Sequence, residues 1–319
     1  MRQPSSVLIA VALVSTSAAA QNGAPAGNCS VSFTDACQAK VDLFDYLAPQ
    51  VGTLVAGGNA TLGQGGALNG FRHFSLSLRV NALQGSLPDF RNFAPSASVA
   101  RQEYSTRSAL VAMPVADASV GLYAGYPLGV TKVGGIDLLA DAAYLPEFHG
   151  RSTGLELPNG GTVFGYGARL GLLEEGLLTP GLGVTWLRHE LPVMAIHGAA
   201  VGTTLRIDDI DLGATSWRLT ASKSLIALGL AAGVGRDRYK SSATINKTSG
   251  PSTTFPFTVR QDVTRTTLFG DLSMDVFLAK LVAEIGAVSG GKIETYNSFA
   301  GKAPDAFRFY GSLGVRVGM

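Results

Sequence analysis

Two cysteines, four histidines and a charged fraction of only 15% in 319 residues set the first limits on this chain. Cys29 and Cys37 are eight apart with no histidine beside them, the wrong spacing for a zinc knuckle, so neither a metal nor a cofactor is expected. In an oxidising compartment the pair is expected to close a small loop as a disulfide. The net charge is +2 and no dense basic run exists, so nothing points to nucleic acid as a partner. Beyond the first twenty residues no apolar stretch reaches the ~18 residues a spanning helix needs. An ordinary soluble chain carries about 25% charged residues, whereas this one combines 15% with a mean hydropathy of +0.24. Something other than a water-facing surface must absorb the apolar side chains.

What is present is a leader, many glycines and a recurring period of two. MRQPSSVLIAVALVSTSAAA has a basic Arg2, an apolar run from Val7 to Val14, and small Ala18 and Ala20. That pattern predicts a secretory signal peptide over residues 1–20, cleaved after Ala20. HFSLSLRVN then alternates without a slip, with Phe74, Leu76, Leu78 and Val80 opposite His73, Ser75, Ser77, Arg79 and Asn81. Successive strand side chains point to opposite faces, so one face is apolar and the other polar. The same alternation recurs in VADASVGLYAG, IDLLADAAY, TVFGYGARLGLL, LGVTW, TSWRLTASK, LIALGLAAGVG, RTTLFGDLSMDV, AKLVAEIGA and FRFYGSLGVRVGM.

The connections decide what these strands build. They are long at 83–111, 146–161, 188–212, 236–262 and 288–305, and moderate to tight at 125–135, 173–180, 222–225 and 277–278. Short turns at one end and long loops at the other predict an all-β, antiparallel transmembrane barrel of the outer membrane over residues 71–319. Lipid admits only helices and closed barrels, because backbone groups must be satisfied internally. The count is ten, with twelve the alternative if MAIHGAAVGTTLRIDDIDL and YKSSATINKTSGPSTTFPFTVRQDV held further spans. Both are read as extensions of strand pairs on the loop side. Apolar even positions of HFSLSLRVN are expected to face lipid, and odd ones the lumen. Residues 21–70 form a separate segment, periplasmic or plugging the lumen, with a short α-helix over about 36–48. Asp35 caps its start, and Pro49 marks its stop.

Several blocks carry a resemblance: YLAPQVGTLVAGG, LNGFRHFSLSLRVNALQGSLPD, AAYLPEF, TSWRLTASKSLIALGLAAGVG and VAEIGAVSGGKIETYN. They are similar to successive blocks of a family of uncharacterised bacterial outer-membrane barrels, in which a short helical segment with Y-L-x-P precedes a strand containing V-N-A. The resemblance covers most of the mature chain and implies fold and location; it brings no activity. Outer-membrane barrels usually end on an aromatic residue read by the barrel-assembly machinery. Met319 departs from that pattern, while Leu313, Val315 and Val317 keep the alternation before it.

Two constellations invite an enzymatic reading. His73 and Ser75 share a strand face, which suits a general base and a nucleophile, but lipid-attacking barrels need such a pair on the lipid side near the outer leaflet. His189 and Glu190 end one strand while Asp208, Asp209 and Asp211 precede the next, without the paired aspartates and Asp-x-His of barrel proteases. No catalytic residue is therefore assigned, and the chain is not expected to be an enzyme. The lumen is more informative. Arg79, Arg169, Arg218, Arg265, Lys280, Arg308 and Arg316 project inward with Asp117, Asp141, Asp271, Asp275 and Glu284, a mixed-sign set expected to pair into a ladder. Gly165, Gly167 and Gly171, and Gly229, Gly233 and Gly235, give two lumen faces without side chains. Such faces either leave a cavity, which the helix or its connector plugs, or merely ease barrel curvature. The leading expectation is a narrow, gated or ligand-selective passage for small solutes. The alternative is a closed-lumen structural or surface-interaction barrel, and a rim hydrolase comes third. Expected partners are outer-membrane lipid, the assembly machinery and a small solute.

Overall fold

A computed structural model describes residues 23–30, 35–58, 60–61, 63–95, 100–150, 153–249 and 253–318. The expected signal peptide and Met319 lie outside the described residues. Ten antiparallel strands form the ring: β1 (Phe74–Asp89), β2 (Glu103–Tyr123), β3 (Gly135–Tyr144), β4 (Thr162–Leu173), β5 (Gly181–Glu190), β6 (Thr203–Leu225), β7 (Leu228–Ser249), β8 (Thr253–Val276), β9 (Ala279–Ser289) and β10 (Arg308–Gly318). Each pairs with its chain neighbour, β10 pairs with β1, and no edge is left between them. Closure matters because an open edge presents unpaired amides to other chains.

At one end the turns are tight, with Ile226 and Ala227 between β6 and β7 and Phe277 and Leu278 between β8 and β9. At the other end β6, β7 and β8 run on for 23, 22 and 24 residues. A small sheet over Phe148–His149, Thr153–Glu156 and Met194–Ala200 joins the extended β6 there. The stretches weighed as extra spans are thus strand extensions, and the ring stays at ten.

The exterior of the ring is apolar through its middle. Leu76, Leu78 and Val80 are exposed on β1, Leu219 on β6, Leu228, Leu230 and Val234 on β7, and Leu313 and Val315 on β10. Towards the loop end the alternation inverts. On β7 the outward residues become Arg236, Arg238 and Lys240, while the inward ones become Tyr239, Ala243 and Ile245. On β6 a register shift between Asp208 and Asp211 swaps the parity, so Leu205 and Ile207 turn inward. A bulge of this kind re-aims every side chain beyond it. The upper ring therefore has an ordinary apolar core, and the middle has apolar residues outside and polar ones inside.

Inside the ring stands a helix. After one turn, α1 (Gly27–Ser30), comes α2 (Asp35–Ala56), longer than the expected 36–48 because Pro49 does not end it. Proline cannot donate to the carbonyl four residues back, here that of Asp45. Gln261 Nε2 from β8 donates to that oxygen at 3.1 Å, so a wall side chain supplies what the proline lacks. Gln261→Leu should leave the Asp45 carbonyl without this donor and loosen the helix by about 1–3 kcal/mol. Slowed amide exchange of α2 in the parent chain, and faster exchange in the variant, would check this.

Candidate functional site

The lumen and the segment that fills it make the site. From the turn end, Gly70 packs against Gly121 and Ala124. The Leu68 amide donates to both Asp137 carboxylate oxygens at 3.1 and 3.0 Å, and that of Ala67 to Glu174 at 2.7 Å. The Gly65 amide donates to Ser222 Oγ at 2.9 Å. Wall arginines donate in return, Arg169 to the Gln64 carbonyl at 3.3 Å and Arg316 to that of Thr61 at 2.7 Å. The Gly-rich connector thus climbs the lumen with its peptide groups held by the wall.

At mid-height the connector meets the end of α2. The carbonyl of Gly57 accepts from Arg79 at 3.1 Å and Asn81 at 2.6 Å, and that of Ala56 from Arg218 at 2.6 Å. A helix C-terminus has free carbonyls and a partial negative charge, so two buried guanidinium groups are suited to it. Above this point α2 packs with its apolar side chains among wall residues of the upper core. Leu43, Phe44 and Leu47 lie with Leu83, Phe90, Ile196, Leu205 and Ile207, each such side chain contributing about 1.5–3 kcal/mol when buried. At Gly52 a Cβ would stand 2.7 Å from the Tyr239 ring, so the glycine permits close contact between helix and wall.

The loop end of α2 is latched to the connection between β9 and β10. Asp42 accepts from the Tyr296 and Asn297 amides, both at 3.0 Å, and from the Asn297 side chain at 2.6 Å. Tyr46 donates to the Lys302 carbonyl at 2.9 Å. Cys29 and Cys37 form a disulfide, tying α1 to the first turn of α2. The Gly23 amide donates to Thr295 at 3.3 Å, so the described chain begins at the loop end although β1 begins at the turn end.

Burial pushes the Asp42 carboxyl up to about 6, against the pull of its amide donors. Half-buried Asp45 rises to about 8, through burial and then the charge of Asp42. Both start from 3.8. Between that value and the raised one the docked helix holds protons that a released helix would lose. Docking is thus strongest near pH 4 and weakens as pH rises through 6 and then 8. Asp45→Asn, which keeps an acceptor for Gln261, should flatten the upper part of this dependence. Amide exchange of α2 at pH 5 and pH 9, corrected for intrinsic rates, reads the difference.

The charged lumen set pairs in part across strands. Arg79 meets Asp117 at 2.9 Å and Arg218 meets Glu284 at 3.3 Å. Arg169 meets Asp137 at 2.7 Å. Asp137 shares the face of Asp141 four residues on; that period was the signal for it, and the expected ladder omitted it. Asp141 instead lies 3.0 Å from His189 Nε2. Other members serve the segment or the loops rather than each other. Arg316 holds Thr61, Arg265 donates to the Asp305 and Ala306 carbonyls at 3.2 and 2.7 Å, and Arg308 to Tyr46 and Ala303, both at 3.4 Å. Asp271 stands opposite Glu284 on the next strand. Lys280 and Asp275 pair at 3.1 Å but at the turn-end mouth, where Asp275 is half exposed.

The glycine faces do not leave a cavity. The space a side chain would take is occupied by the Asp141–His189 pair at Gly165, Leu187 at Gly167, and Glu174 with Ala67 of the connector at Gly171. Ser273 fills it at Gly229, Phe269 at Gly233, and Arg218 with Thr267 at Gly235. The missing side chains make room for large neighbours and for the segment. The residues weighed for enzymatic chemistry and their neighbours have these contacts. Ser77, not Ser75, donates to Asp117, at 2.8 Å. His189 points inward while Glu190 points outward to Arg188, and Asp208 pairs with Arg206.

No family model and no curated protein matches the chain, so the block-wise resemblance assigns no family. Among solved structures it is similar to the translocator domain of the autotransporter NalP from Neisseria meningitidis, at 10% identity and TM-score 0.40, covering 78% of this chain and 88% of that one. It is also similar to the toluene transporter TodX of Pseudomonas putida, at 11% identity and TM-score 0.28, covering 82% and 97%. A third is the monoaromatic hydrocarbon channel CymD, at 12% and 0.26, covering 78% and 89%. The closed antiparallel ring of ten strands with its apolar outer belt resembles outer-membrane β-barrels.

Proposed function

We propose that this chain is an outer-membrane barrel, closed at rest, that passes small solutes when its own N-terminal segment leaves the lumen. In this reading the turn end is periplasmic and the loop end extracellular, and the outer surface meets lipid. The assembly machinery reads the last strand, and the chain is a passage and not an enzyme. One observation carries it. What fills the lumen is a single separable segment, described over residues 35–58, 60–61 and 63–70, held by hydrogen bonds and packing and covalently continuous with the ring only at β1. A ten-stranded wall is wider than the eight-stranded case whose interior side chains alone can fill, and here the wall leaves the remainder to the segment.

A second reading is a permanently closed barrel that presents its loops and N-terminal region to surface partners. The apolar packing of α2 with Phe90, Tyr104 and Ile207 favours it, since helix release would expose that core. Gly52→Leu separates the two. A leucine there must push α2 off Tyr239, which typically costs 1–3 kcal/mol. In planar bilayers the parent chain should rest closed and the variant should show openings if the segment is a gate. A barrel that stays shut in both would favour the second reading.

A further inference from the structure

A basic cleft on the outer wall lies where the apolar belt ends, on the side of β5, β6 and β7. Both tryptophans of the chain mark its lower border. Trp186 of β5 and Trp217 of β6 face each other across the strands with ring centroids 6.4 Å apart. Below them the exterior is Val184, Leu219, Val234 and Leu268. Above them Arg188, Arg236, Arg238 and Lys240 all point outward on the two flanking strands. Between these strands β6 contributes only Gly213 and Thr215, and the resulting cleft encloses about 570 Å³.

The charges in it do not cancel. Arg188 pairs with Glu190 at 3.1 Å and Arg238 with Asp262 at 2.5 Å. Arg236 and Lys240 form no ion pair among the described residues. Other parts of the border of the belt carry aromatic residues, at Tyr144, Phe164 and Tyr166 and at Phe307 and Phe309. A guanidinium offers paired donors to phosphate oxygens, an ammonium a compact charge. Tryptophan favours the level where acyl chains meet headgroups.

We propose that this cleft binds a phosphorylated glycolipid of the outer leaflet. Its phosphates sit between Arg236, Lys240 and Arg188, its sugar over Gly213 and Thr215, and its acyl chains run down past Trp217 along Leu219 and Val234. The proposal rests on the outer-membrane reading above and names the lipid that reading leaves open. The commitment to a glycolipid follows from the breadth of the site, which spreads cations over two flanking strands with an uncharged floor wide enough for a sugar between them.

Because both tryptophans border the cleft, their emission reports on it. The refolded full chain in zwitterionic detergent is titrated with diphosphorylated lipid A, with its dephosphorylated form and with phosphatidylglycerol. A saturable emission change with the first is expected. Loss of the phosphates, or the double substitution Arg236→Glu with Lys240→Glu, should weaken binding about tenfold or more, and added salt should weaken it further. Equal binding by the dephosphorylated lipid or by the double variant would overturn the site. Equal binding by phosphatidylglycerol would overturn the assignment to a glycolipid. Heat-modifiable migration on gels checks the barrel separately, so a chain that forms no barrel refutes the outer-membrane reading, whereas a folded barrel without selective binding refutes only this proposal. Both substituted side chains face outward, and the double variant should retain that migration.

Discussion

Deleting residues 21–65 should turn a barrel that rests closed into one that conducts continuously. The deleted stretch contains α2, which occupies the upper lumen, and the connector as far as Gly65, whose carbonyls are held by Arg79, Arg218 and Arg316. What remains below is Gly66 to Gly70, bound to Glu174 and Asp137 near the turn-end mouth. Removal leaves Arg79 and Arg218 without the helix carbonyls they serve but still paired with Asp117 and Glu284, so the opened lumen carries charge of both signs and should select only weakly between ions. Planar-bilayer recordings with salt gradients read both the current and its selectivity. A deletion variant that shows the heat-modifiable migration of a folded barrel but stays shut would refute the gate.

Arg218→Ala should destabilise the barrel by about 3–5 kcal/mol, the range for removing one partner of a buried ion pair. Arg218 is fully buried, pairs with Glu284 and holds the Ala56 carbonyl, and its guanidinium lies 5.0 Å from the Phe269 ring centre. Without it Glu284 keeps a buried carboxylate opposite Asp271 on the adjacent strand and loses the guanidinium it pairs with. The loss therefore comes chiefly from removing that cation from beside a buried carboxylate. Arg218→Met combined with Glu284→Leu should recover more than half of it, because both charges are then gone and the volume is kept. Urea unfolding in detergent, followed by the emission of Trp186 and Trp217, compares the three chains. A single variant as stable as the parent would show that water reaches Glu284 and that the lumen is wetter than its packing indicates.

The period of two is what made the ring legible. HFSLSLRVN assigns Leu76, Leu78 and Val80 to the outside and Ser77, Arg79 and Asn81 to the inside because a strand has only two faces. Scarcity of charge then says which face meets lipid. Turn spacing carried the strand count, since the tight connections expected at 222–225 and 277–278 are too short for anything but a hairpin; the structure moves the first of them to Ile226 and Ala227. These properties are local, and local properties are written in order along the chain.

Other features depend on residues far apart in sequence. Helix α2 passes Pro49 only because Gln261, more than two hundred residues away, donates to the carbonyl the proline leaves unpaired. The upper strands escape the alternation because there α2 lies inside, so apolar side chains turn inward to pack on it. Glycines at 165, 167 and 171 could be read as a void or as room for others, and Asp141, His189, Leu187 and Ala67 decide for the second. Sequence alone determined a ten-stranded amphipathic wall and a separate N-terminal segment. Tertiary structure alone decided where that segment goes, because its direction is set by partners contributed from every part of the ring: Asn297 at the top, Arg218 at mid-height and Asp137 near the bottom.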